Sequence, residues 1–182
     1  MWPLGHAAVA YLCYTALSRA RRNPVDGVAA LFLLFGSQLP DLIDKPLAWY
    51  LGVLPTGRTL AHSFVVIGPL VAVGYLLATR YSRREYGIAF GVGAVSHILV
   101  DALPALWGGT DPSFLLWPIL PVEPYGNGAP TVIALFVDSL GDPYFLSEFV
   151  LAALAVVVWR ADGFPGLGVL RRVGQRWLPA GD

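Results

Sequence analysis

Five apolar stretches constrain this 182-residue chain more than any other feature. They run roughly from Leu4 to Ser18, Val25 to Leu39, Leu60 to Thr79, Tyr86 to Leu103 and Tyr144 to Trp159. A segment in the hydrocarbon of a bilayer must satisfy its own backbone hydrogen bonds, which leaves helices and closed barrels. A spanning helix needs about 20 residues, with a lower limit near 17. The third stretch meets that requirement and the fourth nearly does; the others need flanking residues to reach the interface. Charged residues make up only 13% of the chain, against roughly 25% in an ordinary soluble domain. A soluble bundle built from these stretches would have little polar surface left to show to water. The expected fold is therefore all-α, a polytopic transmembrane helix bundle of about five spans. Residues 1–160 would form the transmembrane domain and 161–182 a cytoplasmic tail.

Basic residues orient this bundle. Arg19, Arg21 and Arg22 follow the first stretch, Arg80, Arg83 and Arg84 the third, and Arg160, Arg171, Arg172 and Arg176 the fifth. These ten of the twelve Lys and Arg residues fall on one side, which the positive-inside rule assigns to the cytoplasm. The amino terminus is then outside, and the chain is expected to be a multi-pass protein of the plasma (inner) membrane. The first residues lack the basic region of a cleaved leader, which favours a retained first span. The long connection 104–143 holds no Lys or Arg and several prolines, so it should lie outside and be largely non-helical. Its apolar run Thr131 to Val137 is too short to cross, and is either interfacial or re-entrant. Cys13 is the single cysteine, which excludes a disulfide framework. The absence of a basic stripe with interleaved aromatics argues against nucleic-acid binding.

Mapped on this topology, all three histidines fall on the outer side. His6 lies at the outer end of the first span, His62 at the start of the third, and His97 on the fourth, four residues before Asp101. That spacing puts His97 and Asp101 on one helix face, about 6 Å apart. Asp41 and Asp44 stand at the outer end of the second span. They align if the helix continues through Pro40, which equally could end the span and start a new helix. Mixed imidazole and carboxylate sets suit hard or borderline divalent metals, and six candidate ligands leave room for two ions. An aspartate such as Asp101 within an apolar span is costly and usually functional. Asp41, His62, His97 and Asp101 are the first choice as ligands, with His6 and Asp44 next. Arg58, one of two basic residues on the outer side, reads either as a phosphate clamp or as an ion-pair partner for Asp41 or Asp44. Lys45, followed by Pro46 and Trp49, reads as an interface anchor.

These residues fall in motifs that resemble the YdjM-like family of membrane-bound, metal-dependent hydrolases. The motifs are Gly5-His6, Pro40-Asp41-Leu-Ile-Asp44, Gly57-Arg58-Thr-Leu-Ala-His62-Ser63 and Ser96-His97-Ile-Leu-Val-Asp101. They cover about the first 110 residues. Two positions depart from the family pattern: the second acid comes one residue later, and Gly57 stands where the family has a histidine. More distantly, the order of the ligands is similar to part of the zinc phospholipase C and single-strand nuclease group. The resemblance implies a zinc-dependent phosphoesterase. The metal set would be His6, Asp41, Asp44, His62, His97 and Asp101, with Arg58 and Asp44 acting in catalysis on a phospholipid or lipid-linked substrate. Two other readings of the same residues stay open: a transporter-like handler of metal ions or protons, and a structural metal site that pins helices together.

Overall fold

The computed structural model describes residues 1–126 and 130–177. Among them the chain is helical, with no strand. The long helices are α1 (Pro3–Ala20), α2 (Gly27–Lys45, extended by a π-helical turn Pro46–Tyr50), α3 (Phe64–Arg80) and α4 (Arg84–Ala102, extended by a 3₁₀ turn Leu103–Trp107). The short α5 (Val132–Ser139) is followed by α6 (Pro143–Ala161) and α7 (Leu167–Trp177). Three helices are long and apolar enough to cross a membrane, Gly27–Tyr50, Arg84–Trp107 and Pro143–Ala161, while the apolar Phe64–Arg80 is shorter. Large apolar side chains face outward on α3 (Leu70, Val73, Leu76, Leu77) and on α6 (Leu146, Phe149, Val150, Val157). A patch of that extent is at home in lipid and not in water.

Local chemistry fixes the boundaries. Asp26 caps α2 by accepting from the amides of Val28 and Ala29, both at 2.9 Å. Ser63 caps α3 through the Val65 amide at 3.1 Å. Residues 60–63 are therefore a turn, and the third helix starts at Phe64 and not at Leu60 as the hydropathy suggests. The second helix runs well beyond Leu39. It continues through Pro40, which removes the amide that would bond the Gly36 carbonyl, and carries Asp41 and Asp44 on its last turns. The connection 104–143 is more ordered than its prolines suggest, with 3₁₀ turns at Leu103–Trp107 and Pro112–Leu116 besides α5.

α2 and α4 form the centre of the molecule, and their backbones touch. A Cβ on Gly93 would lie 2.3 Å from the Leu33 carbonyl oxygen and 2.7 Å from the Ser37 amide nitrogen. A Cβ on Gly36 would lie 2.3 Å from the Phe90 carbonyl oxygen. Small residues at a crossing let membrane helices pack this closely. α1 crosses both helices and α6, and its buried Ala10 and Tyr14 pack with Ala29, Leu33 and Ala89. α3 packs on the other side of α4, with Ile67 buried against Ala94 and Ile98.

Candidate metal centre

Four side chains meet where α2, α4 and the turn before α3 converge: Asp41, His62, His97 and Asp101, with one donor atom of each lying within 4.8 Å of all the others. All four are buried. The i,i+4 spacing on α4 places His97 and Asp101 on one face, as helix geometry requires. The continuation of α2 through Pro40 carries Asp41 to them.

Hydrogen bonds at the far side of each imidazole fix its tautomer. His97 Nδ1 lies 2.7 Å from the Ser37 carbonyl oxygen, which can only accept, so Nδ1 carries the proton. His62 Nδ1 lies 2.8 Å from Asp44 Oδ2, again an acceptor. In the neutral rings both Nε2 atoms then hold bare lone pairs, yet they face each other at 3.1 Å. Such an approach is repulsive unless a proton or a cation sits between them. Asp41 Oδ1 lies 3.5 Å from His62 Nε2 and 3.7 Å from His97 Nε2, is buried, and has no hydrogen-bond partner. Asp101 Oδ2 lies 3.6 Å from His62 Nε2. Ligands about 2.0–2.1 Å from a tetrahedral zinc are spaced by roughly 3.3 Å. The donor set and its spacing fit a small divalent ion.

The remaining expected residues surround these four. Asp44 has both oxygens engaged: Oδ2 accepts from His62 Nδ1 and the Thr59 amide, and Oδ1 from the Ala61 amide, all at 2.8 Å. It therefore holds the turn 59–62 and orients His62, and it lies outside the group of four. His6 also lies outside that group. Its ring stacks on His97 with centroids 3.6 Å apart, and its Nε2 is 3.3 Å from Asp101 Oδ1 and 3.0 Å from the Met1 carbonyl oxygen. The Met1 amine reaches the same Asp101 oxygen at 2.8 Å. Arg58 pairs with Asp101, Nε to Oδ2 at 2.8 Å, and not with Asp41 or Asp44. Lys45 is more than an interface anchor, since its Nζ lies 2.5 Å from Asp41 Oδ2.

Charge at the centre is balanced before any metal. Asp41, Asp44 and Asp101 bring three negative charges, and Lys45, Arg58 and the Met1 amine three positive ones. Burial pulls the His62 pKa down, but the carboxylates of Asp101, Asp41 and Asp44 around the ring outweigh it and raise it to about 10. Burial likewise opposes the Arg58 charge, and the neighbouring Asp101 carboxylate more than restores it, leaving its pKa raised.

Glu148, on α6, is a residue that motif reasoning passes over. It is 1% exposed, and its carboxylate accepts from the Trp2 amide at 2.5 Å and the Gly5 amide at 3.1 Å. α1 has no side-chain cap of its own, so Glu148 supplies one from another helix. The signal for it was an acid within an apolar span.

The sequence profile of the YdjM inner membrane protein family matches residues 1–164. No curated protein and no solved structure matches the chain. The likeness to zinc phospholipase C and single-strand nucleases thus has no support beyond the order of the motifs.

The chain belongs to the YdjM family and is an inner-membrane protein with three candidate spanning helices.

Proposed function

We propose that this YdjM-family protein is a metal-dependent hydrolase of the membrane surface, holding one divalent ion, zinc first, between Asp41, His62, His97 and Asp101 and cleaving a phosphoester. The observation that carries the reading is the convergence of Asp41, His62, His97 and Asp101, one donor atom of each within 4.8 Å of the others, beside the unpartnered Asp41 Oδ1. With the three carboxylates already matched by Lys45, Arg58 and the Met1 amine, one ion would make the centre positive, which suits an anionic substrate. A divalent ion held there supplies Lewis-acid polarisation and lowers the pKa of water toward neutrality. His62 and His97 present Nε2 because Asp44 and the Ser37 carbonyl hold Nδ1, the usual outer support of a metal-ligating histidine. Arg58 spends Nε on Asp101, leaving its terminal nitrogens for two oxygens of a phosphoryl group.

The five long helices α1, α2, α3, α4 and α6 would all cross, α1 and α3 as short spans. The amino terminus would be outside, because the arginines after α1, α3 and α6 share a side opposite the cluster. A lipid or lipid-linked substrate would then meet the site from the outer leaflet. The near-complete burial of the four ligands favours a second reading, a closed ion that only pins α2, α4 and the turn before α3 together.

Metal content by mass spectrometry on detergent-purified protein tests the first step, with wild type beside His97→Ala and Asp101→Ala. The expected result is one divalent ion per wild-type chain and none in either variant. Folded wild type that is offered zinc and manganese and retains neither would sink the proposal. Phosphodiester hydrolysis by wild type, lost in metal-loaded Arg58→Ala, would separate the hydrolase from the structural ion.

A further inference from the structure

On the flank of the bundle away from α3, α1 forms the floor of an apolar trough between α2 and α6, with a volume of about 390 Å³. The floor residues Leu4, Ala7, Ala8 and Tyr11 recur at the spacing of one helix face. They cover about 10 Å of helix at 1.5 Å per residue, a length that suits part of an acyl chain. Small side chains, Ala30 on one wall and Ala152 on the other, keep the trough open. Its lining is almost wholly apolar, so no polar small molecule would be held there.

One end of the trough is closed by α7, through Leu167 and Leu170. The turn before α7 is fixed in place. The Trp159 indole donates to the Pro165 carbonyl at 3.0 Å, Gly166 adopts φ +96°, and a Cβ on Gly27 would come within 3.1 Å of the Gly166 amide nitrogen. α7 is amphipathic: Leu167, Leu170 and Val173 share a side, the exposed Arg171 flanks it one turn after Leu167, and the exposed Arg172 lies opposite. A basic amphipathic helix of this kind lies in the plane of a membrane interface. The acids near this end are engaged elsewhere. Asp162 accepts from Tyr11, Thr15 and Arg19, and Asp26 caps α2. Among the described residues, neither Arg171 nor Arg172 has an acidic partner.

From this pairing of an apolar trough with the exposed arginines of the helix that closes it, where Arg172 uses only Nε, on the Gly168 carbonyl, we infer that the trough and α7 form a binding site for an anionic phospholipid. One acyl chain lies along α1, and the headgroup phosphate meets Arg171 and Arg172. Leu4 and Ala7 of the floor flank His6 in sequence, but no candidate metal ligand lines the trough, and the site's existence does not depend on the metal centre.

Native mass spectrometry of the full chain, released from detergent with equal amounts of dioleoyl phosphatidylglycerol and dioleoyl phosphatidylcholine, tests this. Phosphatidylglycerol should be retained in preference, with each arginine near the surface contributing about fivefold. Arg171→Gln with Arg172→Gln should abolish the preference while leaving the zwitterionic lipid bound. Ala152→Phe, which fills the trough from the α6 wall, should release both lipids, and Ala30→Phe should do so from the opposite wall. Melting curves recorded alongside identify any variant that fails to fold, and the two filling variants stand in for one another. Equal retention of the two lipids by wild type would overturn the inference. So would a preference that survives the double glutamine variant, or retention unchanged by a folded filling variant.

Discussion

Gly93→Ala adds one methyl group at a backbone contact matched in closeness only by Gly36 among the described glycines, and its effect should reach the metal centre. The new Cβ would sit 2.3 Å from the Leu33 carbonyl oxygen and 2.7 Å from the Ser37 amide nitrogen, whereas ordinary contact begins at 3.4 Å. Both neighbours are backbone atoms, so no side chain can rotate away. α4 must retreat from α2 by about 1 Å, which is costly in a close-packed interior. The His97 Nδ1 to Ser37 oxygen bond spans the same interface at 2.7 Å. That retreat would stretch it past the roughly 3.5 Å at which a hydrogen bond ceases to count. Overpacking of this kind costs about 1–3 kcal/mol, and the lost bond adds about 1 kcal/mol. Alanine's better helix propensity returns roughly 1 kcal/mol. The expected net loss is about 1–3 kcal/mol, read as a lower melting midpoint in detergent. With His97 no longer oriented, metal affinity should fall by about 10–100-fold, the usual cost of losing an outer-shell partner. Gly68→Ala on α3, which meets nothing within 4 Å, is the control: it should leave metal affinity unchanged and, through helix propensity alone, raise stability by about 1 kcal/mol. A Gly93→Ala protein with wild-type midpoint and wild-type metal affinity would refute the reasoning.

Asp44→Asn should keep the fold and weaken metal binding by about 10–100-fold, since the amide cannot accept from His62 and the Thr59 and Ala61 amides together; titration with a zinc-responsive dye reads this out. In metal-free protein the folded-state pKa of His62, about 10, lies above the 6.5 of a free histidine. The protonated ring therefore stabilises the fold fully below pH 6.5, and that contribution is lost as pH rises through about 10. The metal-free melting midpoint should fall over that window, and saturating metal, which displaces the proton, should remove the fall. Glu148→Ala leaves two buried amides on α1 without an acceptor and should lower stability by about 1–3 kcal/mol in chemical denaturation. Unchanged stability would show that water or lipid satisfies those amides.

The sequence carried the site further than it carried the fold. His97 and Asp101 were readable because one helical turn separates them, and Asp101 stood out as an acid in an apolar segment. Asp41 and His62 came from the side of the membrane that the arginines avoid. The division between Asp41 and Asp44 could not be read, because it depends on the turn 59–62 wrapping its amides around one carboxylate and leaving the other facing the histidines. Lys45 looked like an anchor because Pro46 and Trp49 follow it and its i,i+4 neighbour Asp41 was already assigned to the metal. Helix ends were misplaced where a cap decided them, as Ser63 does for α3. Glu148 carried a signal but no partner, since what it binds is backbone, and backbone donors leave no trace in a sequence.

The Glu148 cap also has a consequence for the order of synthesis. It joins Trp2 and Gly5 to a residue more than 140 positions later. α1 leaves the ribosome long before α6, and its opening turn stays unfinished until α6 has been made and placed beside it. His6 sits in that turn and stacks on His97, so its final position waits on the same event. A chain ending before α6 would hold Asp41, His62, His97 and Asp101 but lack the acceptor that Glu148 gives the Trp2 and Gly5 amides.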